Sequence, residues 1–472
     1  MKQNKFYITT PIYYANASPH IGHAYTTIAA DVLARWHRLQ GDETFLLTGM
    51  DEHGAKIQKK AAEVKKDPQK FVDEISVEFE DIWKKLNVQY NGFIRTTSEK
   101  HKKAVQKVLQ TLYDKGAIYK GEYEGLYCVG CEQFLNESDL VDGKCPDHNT
   151  VPEKMKEECY LLKMTEMQEK LIEKIKKDEM KISPERYKNE ILSFLENQEL
   201  KDISISRKNV SWGISLPFDD QHTTYVWVDA FLNYLTGLGW DGDEKNIPKE
   251  WPVDINLIGK DILRVHATIW PAILLHLGIE LPKMIFTHGH ILSGGKKMSK
   301  TLGNVISPQE MIEKFGTDGT RYLLLSAGTF GEDVDMTMER MVEKYNADLA
   351  NGLGNLVSRV LKLSEKSEIS YNKFEYKIDP DIAHRINKMG LGVELNKIIK
   401  MVSDANKYMG DTKPWELVKD NQESFNEVMK KLFIDLFSIA FQLEYFMPET
   451  SEKIKKAIDS KKLEEVLFQR IK

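Results

Sequence analysis

Two short segments of this 472-residue chain bring together side chains able to hold a polyphosphate. In His20-Ile21-Gly22-His23, two imidazoles and a glycine stand where the turn formers Asn16, Ser18 and Pro19 give way to a periodic helix. A helix start offers N–H groups without intrahelical partners and the positive end of the dipole, so an anion is favoured there. The imidazoles add donors for phosphate oxygens, and Gly22 permits close approach of a ligand. Standing alone, the pair is weak evidence and reads first as an ordinary helix start. The second segment is Gly294-Gly295-Lys296-Lys297-Met298-Ser299-Lys300-Thr301, three lysines on a glycine-hinged loop, which suits a mobile clamp on phosphates. On its own it would read as an exposed basic turn. Ser307-Pro308-Gln309-Glu310 follows with an N-cap, a proline at the first helical position and a capping glutamate, anchoring the loop to the next helix.

A third pattern points to a metal. Cys128-Val129-Gly130-Cys131 and Cys145-Pro146-Asp147-His148 are two Cys-x-x-ligand pairs separated by 13 residues. Cys128, Cys131, Cys145 and His148 can close one tetrahedral zinc site; four protein ligands leave no open position, which makes such a site structural rather than catalytic. The competing reading is a loop with coincidental thiols. Cys159 lies outside the pattern. Four cysteines in so long a chain make no disulfide scaffold and fit a reducing compartment.

The elements that must position these groups follow from periodicity. Residues 6–14 are rich in aromatic and β-branched types and read as a strand; a helix over 21–39 repeats Ile28, Val32 and Trp36 every fourth residue and stops at Gly41; residues 44–47 return to strand. This is a βαβ unit, the building block of parallel sheets, which bind ligands at the carboxyl ends of their strands. The pattern breaks after Gly116 and resumes at Tyr225-Val226-Trp227-Val228, so residues 116–222 read as an insertion between sheet halves at 1–115 and 223–290. Strand-like 255–258, helical 262–277 and strand-like 284–287 complete the second half. Residues 291–345 carry the lysine loop, and 346–472 show only helical periodicity, their lysine and glutamate runs being solvated faces. The expected fold is α/β: a Rossmann-like parallel sheet with a zinc-knuckle insertion and a C-terminal all-helical bundle.

In the helical region Asn351, Asn355 and Arg359 share one face, while Leu349, Leu353, Leu356 and Val360 share the opposite one. One face packs and the other is available to read RNA, with Pro414-Trp415 adding an aromatic that could stack on an unpaired base. The net charge of -6 is unexpected for a nucleic-acid binder, so RNA contact must use local patches. The longest apolar stretch, residues 269–277, is shorter than the ~20 residues of a membrane span, and no apolar signal core follows the N-terminal lysines. A cytosolic location is expected.

Together the His20–His23 and Lys297–Thr301 segments resemble the paired signatures of class I aminoacyl-tRNA synthetases, the latter matching the Lys-Met-Ser-Lys-Ser loop in all but its last residue, where Thr301 keeps the hydroxyl. The resemblance covers nearly the whole chain. It implies that an amino-acid carboxylate attacks the α-phosphate of ATP in the presence of Mg2+, and that a terminal tRNA hydroxyl then takes the aminoacyl group. His20, Gly22, His23, Lys297, Ser299 and Lys300 would serve ATP and the transition state by positioning and charge stabilisation.

A carboxylate with several aromatics at strand ends suits methionine, whose polarizable thioether fits aromatic walls and whose ammonium needs an anion such as Asp51 in Thr48-Gly49-Met50-Asp51-Glu52-His53-Gly54. These stretches are similar to the methionyl branch of the class. That resemblance implies a methionine site lined by Ile12, Tyr14, Trp227, Ala230, Tyr234, Ile262, His266 and Trp270, with Asp229 and Asp261 near it, a zinc knuckle in the insertion, and contacts of Asn355, Arg359, Pro414 and Trp415 with the anticodon of tRNA(Met). A cysteinyl enzyme and a tRNA-independent adenylate-forming nucleotidyl transferase are the alternatives. The 277 positions separating His20 from Lys297 leave little room for an editing domain. With no further C-terminal domain expected after the helices, a monomer is expected too.

Overall fold

The computed structural model describes residues 4–130, 133–135, 137, 140–146, 148–208, 210–298, 305–367 and 380–472, with backbone alone for Tyr123, Glu124, Gln133, Phe134, Glu157, Lys297 and Pro380. The chain forms two compact units: residues 1–19, 37–81 and 89–287 make the first, and 20–36, 82–88 and 288–472 the second.

In chain order, β1 (Lys5–Tyr14) is followed by α1 (Ile21–Leu39), β2 (Glu43–Asp51), α2 (Ala55–Glu63), α3 (Pro68–Lys85), β3 (Gly92–Arg95) and α4 (Glu99–Asp114). Helix α1 ends where expected, with Gly41 just beyond it in the left-handed region at φ 85°. β1 takes the centre of the sheet because its residues 6–10 are all buried, which only a strand covered on both faces tolerates. It pairs in parallel with β2 on one side, Ile8 opposite Leu46 and Tyr14 opposite Asp51. Gly49 lets β2 lie close to β3, since a Cβ there would stand 2.1 Å from the Ile94 carbonyl oxygen.

The stretch 116–222 holds two kinds of structure. β4 (Ile118–Cys128), β5 (Gln133–Leu135), β6 (Glu153–Leu162) and β8 (Ile203–Ser204) form an antiparallel sheet in the order β5-β4-β6-β8. The β4–β6 ladder runs from Ile118 opposite Leu162 to Tyr127 opposite Glu153, a long ribbon with the cysteine knuckle at its far end. Between β6 and β8 the chain forms α5 (Gln168–Lys176), β7 (Lys181–Ser183) and α6 (Glu185–Asn197). β7 is an edge strand of the parallel sheet, so part of the stretch belongs to the sheet that it interrupts. At three residues it is too short for periodicity to reveal. β9 (Ser206–Arg207), β10 (Ser215–Leu216) and β11 (Asp219–Thr224) make a further small antiparallel sheet.

Next come α7 (Val226–Phe231), α8 (Asn233–Thr236), β12 (Ile255–Gly259), α9 (Leu263–Leu277) and β13 (Met284–His288). The parallel sheet reads β3-β2-β1-β12-β13-β7, with β1 and β12 joined at Ile8 opposite Ile255. Strand order reverses between β1 and β12, the point at which doubly wound sheets open a ligand crevice.

In the second unit β14 (Ile291–Ser293) pairs with β15 (Lys296–Lys297) and β16 (Val334–Asp335), and helices follow: α10 (Pro308–Ser326), α11 (Met338–Lys344), a π-helical stretch Tyr345–Gly354, α12 (Asn355–Ser364), α13 (Pro380–Asn387), α14 (Leu391–Thr412), α15 (Pro414–Asp420), α16 (Gln422–Leu443) and α17 (Pro448–Ser460). Helix α1 is built into this unit by Arg321, whose side chain is fully buried. The guanidinium meets the Asp31 carboxylate at 2.7 Å and donates to the carbonyls of Phe446 (2.7 Å), Leu86 (3.1 Å) and Tyr445 (3.3 Å). Each of the three guanidinium nitrogens has a partner, the condition under which a buried charge is tolerated. Trp36 packs edge-on against Tyr445 at 5.2 Å.

Candidate active site

The residues expected around methionine lie in the first unit. Tyr14 and Asp51 close the carboxyl ends of β1 and β2, held side by side by the strand register, with the Ala15 N–H donating to the Asp51 carbonyl at 2.9 Å. Ile12, Tyr14, Trp227 and Ile262 are half-buried, while Ala230, Tyr234, His266 and Trp270 are buried behind them. The aromatic side chains make one connected group. Trp227 faces Phe231 at 5.5 Å and the His266 ring at 6.4 Å, Phe231 meets His266 at 4.9 Å, and Tyr234 packs on Trp270 at 5.8 Å. A half-exposed rim over a buried aromatic floor is what a small apolar ligand with a polar end requires. Asp261 is exposed at the turn before α9.

His266 is locked in one tautomer. Its Nδ1–H donates to the Ile262 carbonyl at 2.8 Å, so Nε2 accepts from the Tyr234 hydroxyl at 2.7 Å. Burial pushes the imidazole down to about 4, with Ile262 and Asp261 only partly opposing the shift. The ring is therefore neutral and tied to Tyr234, whose carbonyl in turn accepts from the Tyr7 hydroxyl at 2.6 Å. The floor is thus polar in atoms but uncharged, which suits a thioether.

The segment carrying Asp51 is braced. The Glu52 carboxylate accepts from Arg95 Nε at 2.7 Å and from the Thr97 hydroxyl, and the Glu52 N–H donates to Thr96 Oγ1 at 2.9 Å. Trp212 donates its indole N–H to the Glu52 carbonyl at 2.5 Å and accepts the Gly54 N–H at 3.0 Å. His53 Nδ1 meets Asp229 Oδ2 at 2.6 Å, His101 Nε2 meets Asp229 Oδ1 at 2.7 Å, and His101 Nδ1 meets the Thr236 hydroxyl at 2.7 Å. Burial pushes the Asp229 carboxyl up, but the charge of His53 and the hydrogen bonds of His101 and His53 outweigh it and hold it at about 2. Sequence reasoning missed Phe231, His53 and His101 as members of this site. His53 stood inside a quoted motif, whereas His101 on an amphipathic helix carried no signal beyond its type.

The phosphate-binding candidates lie in the second unit. The Gly22 N–H donates to His20 Nδ1 at 3.1 Å and the His20 N–H to His23 Nδ1 at 3.3 Å, with the rings stacked at 3.6 Å. Both Nδ1 atoms act as acceptors, so each ring carries its proton on Nε2. Burial lowers the His23 pKa well below 6.5, and the neighbouring His20 lowers it further. A Cβ on Gly22 would stand 2.9 Å from the His20 ring, so the compact arrangement requires glycine. The Ile21 N–H donates to the Ile306 carbonyl at 3.2 Å, which joins the start of α1 to the chain just beyond the lysine loop. That loop begins as the β14–β15 hairpin through Gly294 (φ 63°) and Gly295 (φ 74°), with Leu292 opposite Lys297. Ser299, Lys300 and Thr301, and the Lys297 side chain, lie outside the described residues. The expected cap is present: Ser307 Oγ accepts the Glu310 N–H at 3.0 Å, with Pro308 leading the helix.

At the knuckle, Cys128 Sγ, Cys145 Sγ and a His148 ring nitrogen all lie within 4.8 Å of one another. Cys145 Sγ is 3.8 Å from His148 Nδ1, near the ligand-to-ligand edge of about 3.6 Å that a tetrahedral zinc with these bond lengths has. Both thiols are buried at 1% exposure while His148 is exposed. A Cβ on Gly130 would stand 2.5 Å from the His148 ring, so this turn accepts the imidazole only with glycine there. Cys131 lies outside the described residues. The donor set fits a zinc ion.

In the helical region Asn351 and Asn355 are exposed, Arg359 is half-buried and its guanidinium lies over the Trp415 ring at 5.4 Å, while Leu349, Leu353, Leu356 and Val360 are fully buried. Lys413, in the left-handed region at φ 44°, ends α14, and Pro414, itself buried, begins α15. Trp415, the second residue of α15, is 39% exposed.

The family model described as tRNA synthetases class I (M) matches residues 6–151 and 148–361. The methionine--tRNA ligase of Clostridium acetobutylicum is 45% identical over 96% of this chain and 73% of its own length, and that of Thermotoga maritima is 40% identical over 95% and 74%. Among solved structures, Mycobacterium tuberculosis methionyl-tRNA synthetase in complex with methionyl-adenylate superposes with a TM-score of 0.90 at 35% identity, covering 96% of this chain and 93% of that one. With its parallel sheet, its stacked histidines at the head of α1 and its knuckle, the chain belongs to the methionyl-tRNA synthetase family of class I.

Proposed function

We propose that the chain activates L-methionine with ATP and passes the methionyl group to the 3' end of tRNA(Met). In the first step a methionine carboxylate oxygen bonds to the α-phosphorus and the bond to the β-phosphate bridging oxygen breaks, releasing pyrophosphate. In the second, a terminal ribose hydroxyl attacks the acyl carbon and AMP leaves. The observation that supports methionine best is the uncharged floor, where a tautomer-locked His266 and Tyr234 lie behind Trp227.

Asp51, at the strand end beside Tyr14, takes the substrate ammonium, while Ile12, Ala230, Ile262 and Trp270 complete the apolar enclosure. His20 and His23 present Nε2–H donors to phosphate oxygens, with Gly22 giving room, and Lys297, Ser299 and Lys300 supply further charge and hydrogen bonds. No protein nucleophile takes part. Mg2+ accompanying ATP supplies charge neutralisation on the phosphates. Cys128, Cys131, Cys145 and His148 hold a structural zinc.

Residues 346–472 act as the anticodon reader, with Asn355, Arg359, Pro414 and Trp415 at the contact. Among the described residues no helix is long and apolar enough to cross a membrane, and a tRNA substrate places the proposed work in the cytosol. The test is amino-acid-dependent exchange of pyrophosphate into ATP with each of the twenty amino acids. Methionine alone should drive it, and exchange driven by cysteine or by none would overturn the assignment.

A further inference from the structure

Asp229 is an unusual residue to find buried on the helix that carries Trp227 and Ala230. It sits on α7 two positions after Trp227 and directly before Ala230 and Phe231, at 1% exposure, as an anion. Burying a carboxylate is costly unless hydrogen bonds replace its water, so an apolar residue would serve simple packing better. Here each oxygen takes one imidazole: Oδ2 receives Nδ1–H of His53 and Oδ1 receives Nε2–H of His101, which is fixed in that tautomer by accepting from Thr236 at Nδ1. Three elements thus converge on one buried charge, namely the loop after β2, helix α4 and the α7–α8 segment.

His53 lies two positions beyond Asp51, and Glu52 between them is pinned separately by Arg95, Thr97 and Trp212. Among the described residues, the bond of His53 to Asp229 ties this bracing to the helix that carries Trp227 and Ala230. A carboxylate accepts from two donors in a fixed plane, so it sets orientation as well as distance.

We propose that Asp229 is a positioning residue for methionine: by sharing its carboxylate between His53 and His101 it fixes the strand end that presents Asp51 against the wall formed by Trp227 and Ala230. This rests on the methionine assignment above. Asp229 touches no reacting atom. It keeps the ammonium acceptor and the side-chain enclosure at the spacing of one amino acid, and it leaves the phosphate-binding residues alone.

The experiment measures methionine-dependent pyrophosphate exchange for the parent, Asp229→Asn, Asp51→Asn, the double variant, His53→Ala and His53→Asn, with melting temperatures alongside. The asparagine amide at position 53 places a donor where Nδ1 stood. Asp229→Asn should raise the KM for methionine about ten-fold or more, as a small misplacement of a binding group does, with the KM for ATP within about three-fold. Combined with Asp51→Asn it should add much less than the product of the two effects, because it acts through the placement of Asp51. His53→Ala should repeat the defect and His53→Asn should recover most of it. Equal shifts in both KM values, independent effects in the double variant, or identical behaviour of His53→Ala and His53→Asn would each overturn the proposal. If Asp229→Asn does not fold, the His53 pair decides by the same KM split. A parent without methionine-dependent exchange overturns the functional reading beneath it, a result distinct from any of these.

Discussion

On the function proposed above, Asp51 and His266 divide the work of recognising a small zwitterion. Asp51 is proposed to supply the charge. Replacing it with asparagine keeps the shape but removes a charge-assisted contact worth about 1.5 to 3 kcal/mol, so the KM for methionine should rise roughly 10- to 150-fold while that for ATP stays close to the parent's. Equal shifts in the two constants would remove Asp51 from the ammonium site. His266 supplies uncharged polarity, and its pKa of about 4 in the fold makes that conditional on pH. In the unfolded chain it titrates near 6.5. The unfolded state therefore takes up a proton that the folded state refuses, and stability falls as the pH drops from about 6.5 to about 4, by an amount on the order of 3 kcal/mol. Asp229 works in a lower window: held at about 2, it contributes stability above the ordinary carboxylate range that is lost as the pH falls towards 2. Melting curves of the parent should decline more steeply between pH 6.5 and 4 than those of His266→Gln. Parallel curves would assign the decline to other groups.

At the scale of elements, the described residues of the knuckle at the end of the β4–β6 ribbon leave Val129, Val141 and Val151 exposed. As metal ligands the two buried cysteines would be thiolates, whose clustered charge needs a cation to offset it, so metal should organise residues 123–150. Protein purified without chelators should carry one zinc per chain by elemental analysis, and Cys145→Ser should lose it and melt lower. Gly130→Ala is a subtler probe. Its Cβ would enter the His148 ring, so it should weaken zinc retention against a chelating dye without altering any ligand. A metal-free parent, or a Cys145→Ser variant as stable as the parent, would rule the centre out.

On the scale of the whole molecule, the second unit carries both the head of α1 with His20 and His23 and the helical face with Arg359 and Trp415. Arg321 ties α1 to the turn between α16 and α17 through Asp31 and the carbonyls of Tyr445 and Phe446. Trp415→Ala and Arg359→Gln are remote in sequence from that junction. They should cripple tRNA charging, because a stacked base contact is worth about 1 to 3 kcal/mol, and leave methionyl-adenylate formation nearly normal. The comparison needs wild-type tRNA and one with a changed anticodon, with melting temperatures to exclude a fold defect. Should the parent charge both RNAs equally, or the Trp415 variant lose both steps in proportion, the helical region is not an anticodon reader.

Periodicity and motif spacing by themselves determined the βαβ start, the helix from Ile21 to Leu39, the capped helix at Pro308 and the helical character of the last part of the chain, because these depend on neighbours a few positions away. The Cys-x-x-ligand pairs and the Asn355–Arg359 face were legible for the same reason. Tertiary structure alone decided that β7 joins the edge of the parallel sheet and that His53 and His101 meet on one carboxylate. Those outcomes rest on pairings between residues far apart in the chain, 128 positions in the case of His101 and Asp229. A lone histidine on a helix carries no mark of the anion it will face. Which of its two nitrogens holds the proton is likewise decided only when burial has removed water and left one acceptor within reach.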